Sequence, residues 1–496
     1  MNLKPLSVWW LTVALAVLVA CSFPLARGRP ATPFPPTLAV ATAQPQPVAA
    51  STPLPTRTEY APGTLVDYTV QSGDTVPAVA AHFNTTVEEI LAANPDIPPG
   101  ITTLPPGFPM KIPIYYTPFW GTPFQILPDA LFVNGPAARE FDLEAFLARY
   151  PNGWLVHYHE YAAKATRSGA NIVAYIAAAY SIDPRVLLAL LEYQAGALTH
   201  PTLPPEQMRY PLGYEDPSHR GLFLQLSYAA NLLNNGYYAW RLGRLPWFVL
   251  SDGTEVRPDP WQNAATVALQ NYFAQTLPAD VYREAISPQG FFRLYAFLFG
   301  NPWENPPEPH IPANLQQPPM KLPFPKGAKW SLTGAPHTGW GLGQPFAALD
   351  FAPMGVSGCQ TTEQWTVAVA DGVVARSEYA TVMLDLDGDR DERTGWDVLY
   401  FHVANNARVP EGAFLKTGDP IGHPSCEGGR TTGTHVHIAR KYNGEWIVAD
   451  GVIPFDLEGW IPESSGVAYK GVLRRGTGMV VASDQGIPAS IIKSER

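Results

Sequence analysis

The chain has 496 residues, 46% of them hydrophobic and only 15% charged, with 53 prolines and a net charge of -10. That length and apolar content suit several folded domains and exclude a disordered acidic chain or a fibre. The acidic balance argues against nucleic acid as a partner, which calls for a basic surplus, and three cysteines exclude a disulfide-rich scaffold or a four-cysteine zinc finger.

In chain order, the first feature is an apolar run over residues 8–20, preceded by one Lys. As a helix it spans roughly 20 Å, too short for a bilayer core of about 30 Å and suited to the apolar region of an export signal. It ends Leu18-Val19-Ala20-Cys21, which resembles the lipobox of bacterial lipoproteins. The resemblance implies a signal peptide over residues 1–21, cleavage before Cys21, and acylation of Cys21. Two or more acyl chains would then hold the protein at a membrane. Residues 22–65 contain ten prolines and no helical or strand periodicity, so they read as an extended stalk. A second proline cluster reads as a linker over residues 304–321.

Residues 66–115 open with Asp67-Tyr68-Thr69-Val70-Gln71-Ser72-Gly73-Asp74-Thr75, a short strand and a turn. Val76, Val79, Ala80 and Phe83 recur at helical spacing. Thr86 can cap a second helix, with Glu89 as its box partner; Val87, Ile90 and Leu91 give that helix an apolar face, and Met110 to Pro113 suits a closing strand. This βααβ order and its Y-x-V-x-x-G-D-T opening resemble a LysM domain. The resemblance implies binding of N-acetylglucosamine-containing glycans, above all peptidoglycan, in a groove between the first strand–helix loop and the second helix–strand loop. The matching positions are Gly73, Asp74, Thr75 and Val76, then Asn94, Ile97 and Pro98.

Residues 130–303 are rich in Ala, Leu and aromatic residues, and the patterns over residues 163–179 and 184–191 predict helices. Ala177 to Gly196, with Gly221-Leu222-Phe223-Leu224-Gln225, resembles lysozyme-like lytic transglycosylases, implying a mainly α domain. Those enzymes need a protonated carboxylic acid. The matching position is Gln194, whose amide cannot serve, and Glu192 lies about 200° away around a helix. The expectation is a lysozyme-like fold that binds or spaces without cutting glycan; the rival is a glycosidase using Glu192, Glu215 or Asp216.

Residues 322–473 alternate apolar and polar positions in short runs bounded by Gly, Pro and Asp, the pattern of an antiparallel β domain. Thr434-His435-Val436-His437 places two histidines on one strand face. Leu399-Tyr400-Phe401-His402 adds a third, and Pro336-His337 precedes Leu349-Asp350-Phe351. Two imidazoles and a carboxylate make three ligands, leaving one position of a catalytic zinc open. The ordered set H…D, Y-x-H, G-D-x-I-G (residues 418–422) and G-T-H-V-H resembles LytM/lysostaphin-type zinc endopeptidases. The thirteen-residue step from His337 to Asp350 resembles the beta-lytic subgroup. The resemblance implies zinc held by His337, Asp350 and His437, with His402 and His435 as catalytic residues flanking the water and the oxyanion. His423 matches no position of the pattern and reads as a loop residue.

Asp385, Asp387, Asp389 and Asp391 around Gly388 resemble a calcium loop without the helix or distant Glu of an EF-hand; a solvated hairpin tip suits them equally. Cys359 and Cys426 lie in loops and either form a disulfide or stay as two buried thiols. Residues 474–496 read as a C-terminal extension. The whole reads as an exported, lipid-anchored peptidoglycan hydrolase facing the cell wall, with a non-catalytic wall-binding scaffold as the alternative.

Overall fold

A computed structural model describes residue 57, residues 59–116 and residues 121–495. The expected signal peptide, the expected lipidation at Cys21 and most of the expected stalk lie outside the described residues. No helix among the described residues is long and apolar enough to cross a membrane.

The N-terminal unit pairs β1 (Thr64–Thr69) antiparallel with β2 (Pro109–Ile114) and packs α1 (Val76–His82) and α2 (Val87–Ala93) beside them. Thr75 caps α1, while Thr86 and Glu89 form the capping box of α2, satisfying amides that the first helical turn leaves free. Val76, Val79, Ala80, Phe83 and Ile90 fill its core, whereas Leu91 is 36% exposed. The apolar stripe of so short a helix is narrower than its sequence pattern suggests.

The second unit is built on α3 (Gly169–Tyr180), α4 (Pro184–Ala195), α5 (Leu222–Arg241), α6 (Ala264–Thr276) and α7 (Phe291–Phe299). The first of these starts later than the pattern over residues 163–179 predicts. Ala163 and Lys164 have φ of 46° and 61° and turn a hairpin of residues 159–168, because two successive left-handed residues close a two-residue β-turn.

The third unit carries a nine-stranded sheet. Its strands are β3 (Lys329–Thr338), β4 (Phe346–Pro353), β5 (Gly372–Glu378), β6 (Thr381–Asp385), β7 (Trp396–Phe401), β8 (Phe414–Leu415), β9 (Val436–Tyr442), β10 (Glu445–Trp446) and β11 (Ile491–Lys493). The order is β8-β5-β6-β7-β9-β4-β3-β11, with β10 on β9. Of the expected C-terminal extension, residues 474–495 are integral to this unit: β11 pairs with β3, and residues 461–481 form a three-stranded sheet.

Alternation along the strands decides what lies on each face. Val436 and Ile438, Leu349 and Phe351, and Val398 and Tyr400 point into the unit's own core. Ala439, Leu399 and Ala348 point the other way and join the core of the helical unit, together with Met383 and Trp446. His437 shares that second face, two residues from Ala439. The helical unit therefore covers part of the sheet face that carries the histidines.

A buried polar cluster ties the three units together. Arg241 lies 3.1 Å from Asp129 and 3.2 Å from Glu445, and it also donates to the carbonyl of Ser72. Glu445 accepts from Tyr237 at 2.7 Å and lies 2.6 Å from His310 Nε2. Burial pushes the Glu445 carboxyl up, but Arg241 and His310 together hold it down at about 2. The expected linker is anchored here as well. Residues 310–315 run from the Glu445 cluster along the N-terminal unit: Ile311 N donates to Ser72 Oγ, Thr103 Oγ1 donates to the carbonyl of Pro312, and Thr102 Oγ1 donates to that of Leu315. Ile311 and Leu315 pack with Trp396, Ile447 and Ile453, so apolar anchors fix what the proline content alone suggests is a free spacer.

Candidate metal centre

Three side chains converge at one end of the shared sheet face. Asp350 on β4 and His437 on β9 are cross-strand partners. His337 comes from the end of β3, where register shifts after Leu332 and Gly334 turn its ring toward them. A Cβ on Gly334 would meet Asp350 Oδ2 at 2.6 Å, so glycine there leaves room for the carboxylate.

His337 Nε2 lies 3.0 Å from His437 Nδ1. Asp350 Oδ1 lies 3.2 Å from each of those two nitrogens, yet it makes no hydrogen bond of good geometry. The three atoms form a compact triangle of possible metal ligands. A tetrahedral zinc with bonds of about 2.0–2.1 Å has ligand–ligand edges of roughly 3.3 Å, close to this triangle. The donor set and its spacing therefore fit zinc.

Both imidazoles are oriented from behind. His337 Nδ1 lies 2.9 Å from the carbonyl of Ala335, and His437 Nε2 lies 3.0 Å from that of Gly339. A neutral ring that donates one N–H to a carbonyl presents the lone pair of its other nitrogen, the arrangement found behind metal-bound histidines. His402 and His435 follow the same rule, with Nδ1 held 2.7 Å from the carbonyls of Glu427 and Gly433 respectively. His435 Nε2 lies 3.7 Å from Asp350 Oδ1, and the His402 and His435 rings are 4.6 Å apart.

His402 follows β7 with φ of 64°, a left-handed conformation uncommon for a residue with a Cβ. This backbone twist accompanies the packing of its ring against His435. Burial, and secondarily the neighbouring His435, pushes His402 down to about 3. Burial likewise lowers His437. Burial alone would raise Asp350, but His337 and His435 beside it hold it well below the usual carboxylate range.

Two further features near the centre carry no motif. Tyr469 stacks on His337 with ring centroids 4.1 Å apart, held by a bridge to Ala335. Trp340 packs 4.8 Å from Phe401. Neither has a spacing that a sequence pattern would flag, because both arrive on loops.

Comparison with known proteins points to a LysM domain and to LytM-type metalloendopeptidases. The family model described as "LasA, N-terminal domain" matches residues 125–314, and the LysM model matches residues 68–113. Protease LasA of Pseudomonas aeruginosa is 27% identical over 341 residues, covering 66% of this chain and 75% of that protein. The beta-lytic metalloendopeptidase of Achromobacter lyticus is 30% identical over 158 residues, covering 30% of this chain and 39% of that one. Among solved structures, the M23 metalloprotease pseudoalterin aligns at 23% identity with a TM-score of 0.28, covering 33% of this chain and 94% of that chain.

The matching model for the helical unit is thus the LasA N-terminal domain, and the lysozyme-like reading gains no support from it. The carboxylates named in the rival glycosidase reading sit in separate settings. Glu192 is buried and accepts from Leu198 N and Thr199 Oγ1, Asp216 caps a turn through Ser218, and Glu215 is exposed. Gln194 donates to Tyr272 Oη at 3.2 Å.

The expected glycan-binding positions divide into two groups. Asp74 is buried, accepting from Tyr68 Oη and Gln71 N, and burial raises it to about 6 despite those bonds. Val76 and Ile97 are core residues, and Asn94 ties the end of α2 to Lys111 on β2. Gly73 lies against Arg241, whose guanidinium carbon a Cβ would meet at 2.8 Å. Pro98 is exposed and Thr75 half-buried.

The candidate calcium loop is bonded to itself. Oxygens of Asp385, Asp387 and Asp389 come within 4.8 Å of one another, but Asp385 accepts from the amides of Asp387, Gly388 and Arg390. Asp387 and Asp389 accept the next amides along, and Asp391 pairs with Arg393 and Arg139. These partners suit a hairpin tip. Cys359 and Cys426 form a disulfide. His423 is a buried loop residue, with Nδ1 3.0 Å from the carbonyl of Gln364.

Proposed function

We propose that this protein is an exported peptidoglycan hydrolase: a zinc endopeptidase that cuts peptide stems or cross-bridges, brought to the wall by its LysM domain and held at the membrane through acylated Cys21. The observation that carries the catalytic part is the His337–Asp350–His437 triangle, with edges of 3.0 to 3.2 Å.

In this reading His337 Nε2, Asp350 Oδ1 and His437 Nδ1 hold the zinc. The metal would supply a water of lowered pKa and polarise the scissile carbonyl. His435 and His402 each present an unprotonated Nε2 toward the substrate side, because their Nδ1 protons are committed to backbone carbonyls. The His435 nitrogen can take a proton from the attacking water and pass it to the departing amine, while His402, held down to about 3 by burial, stays neutral beside it. Their small accessible surface limits competing water near the reacting atoms. Wall capture raises the local concentration of peptide, and the exposed Pro98 edge of the LysM loops supports contact with glycan. The alternative, a non-catalytic scaffold, is less favoured because none of the five site side chains is missing or turned away.

The test uses the chain without residues 1–21, loaded with zinc, on purified sacculi. New amine termini should appear, and should vanish with chelator or in His437→Ala. Unchanged peptides from a zinc-loaded sample would overturn the reading. Retention on sacculi that had lost their glycan would overturn the LysM part alone.

A further inference from the structure

The loop between β3 and β4, residues 339–345, is clamped by the helical unit. Leu342 N donates to Asn231 Oδ1 and Gln344 N donates to Asn235 Oδ1, each at 2.7 Å. The two asparagines are four residues apart on α5, so they share one helix face, and the amides they accept from are two residues apart on the loop. The loop lies so close that side chains are excluded. A Cβ on Gly341 would meet Asn231 Oδ1 at 2.4 Å and the Tyr180 ring at 2.5 Å, and one on Gly343 would meet Asn235 Oδ1 at 2.1 Å. Both glycines have φ near the left-handed range, 79° and 91°, which glycine alone adopts freely.

The same loop carries the carbonyl that orients a ligand. Gly339 O is the partner of His437 Nε2, and Trp340, one residue on, packs on Phe401 beside the site. Gly339 is held at its own amide by the carbonyl of Pro345 at 3.0 Å, so the two ends of the loop move together. The clamp at Leu342 and Gln344 fixes the arc between them.

We propose that Asn231 and Asn235 are positioning residues for the metal centre: through the loop they keep the Gly339 carbonyl on His437, so that the helical unit completes the site it borders. This rests on the zinc-endopeptidase reading above. It requires no contact between either asparagine and substrate or metal.

The test compares the full chain with Asn231→Ala/Asn235→Ala and with Asn231→Asp/Asn235→Asp, which retains an oxygen acceptor at each position. Three readouts apply: zinc affinity by competition with a chromogenic chelator, kcat and KM on peptides from sacculi, and hydrogen exchange at the amides of Leu342 and Gln344. The alanine pair should weaken zinc binding by about tenfold, the lower end for loss of a group behind a metal ligand. Its kcat should fall while KM stays within about twofold, and the two amides should exchange faster. The aspartate pair should restore most of the zinc affinity. Wild-type zinc affinity in the alanine pair, with faster exchange, would overturn the proposal and leave the clamp as an interdomain contact only. Equal loss in both pairs with a lowered melting temperature would overturn it in favour of plain structural support. A wild type that holds zinc but cuts nothing sinks the endopeptidase reading alone, because the affinity comparison still decides the clamp.

Discussion

The Nδ1 of His402 sits 2.7 Å from the carbonyl oxygen of Glu427, and Glu427 follows the disulfide-bonded Cys426. The other end of the bridge is also tied to the site. Thr434 N donates to Gly358 O and Thr434 Oγ1 to Gln360 O, so the residues flanking Cys359 hold the residue before His435. One bridge thus braces the backbone behind both candidate catalytic histidines.

Replacing both cysteines with serine should therefore cost stability and activity separately. The bridge spans a sequence separation of 67, for which the chain-entropy relation gives about 4 kcal/mol. Denaturant melts should show a loss up to that size. Zinc content should hold, since the three ligands sit on strands, while kcat falls through misplaced His402 and His435. Loss of zinc with unchanged specific activity per bound metal would contradict this division.

The triad predicts a metal-dependent stability. Free zinc at one hundred times its Kd should add about 2.7 kcal/mol to unfolding if it binds only the native state. His437→Ala should abolish that increment, and Asp350→Asn should reduce it. Thermal melts with chelator and with buffered zinc measure both. An increment that persists in His437→Ala would place the metal elsewhere.

The candidate site was legible in sequence where strand alternation did the work. His435 and His437 share a face by period two, and ordered motifs linked them to His402, His337 and Asp350. What sequence did not reveal arrives through loops and between units. Tyr469 reaches His337 from a stretch that carries no motif, and Asn231 and Asn235 look like ordinary polar positions on a helix. The helical unit's contact with the sheet was also hidden. Ala439 and Leu399 follow the same alternation whether that face meets solvent, substrate or another unit. The LysM helices were legible through caps and spacing, but Gly73 against Arg241 was not, because that contact spans 168 residues of sequence.

The Glu445 cluster should make the three-unit assembly acid-sensitive. Its carboxyl is held down at about 2 in the fold, against 4.5 for an ordinary glutamate. Its stabilising contribution is therefore complete above about pH 4.5 and lost as pH falls toward 2. Glu445→Gln leaves His310 without a charged partner and Arg241 with Asp129 alone. Breaking a buried pair in this way typically costs roughly 3–5 kcal/mol. The variant should melt lower at neutral pH, lose less on acidification, and be cut faster by protease within residues 310–315. Protection of that stretch equal to wild type would mean that Thr102, Thr103 and the apolar anchors hold it unaided.

His82 gives a second pH dependence, in a different window. Its ring stacks on Trp240 with centroids 3.6 Å apart, and its Nε2 lies 2.9 Å from the carbonyl of Trp240. Burial lowers it from 6.5 to about 4, with the carbonyl working in the opposite direction. The fold thus requires a neutral imidazole, while the unfolded chain protonates it below about pH 6.5. Stability from this site is complete above that pH and declines as pH falls toward 4, by up to about 3 kcal/mol. Asp74 nearby acts with the opposite sign, being raised to about 6, so the wild-type profile alone mixes the two. The difference between wild type and His82→Phe isolates the imidazole, because phenylalanine keeps a ring on Trp240 and cannot titrate. Unfolding free energies at pH 7 and pH 4.5 should show the variant losing less than wild type. An equal loss in both proteins would mean that the LysM unit separates from Trp240 before His82 takes up its proton.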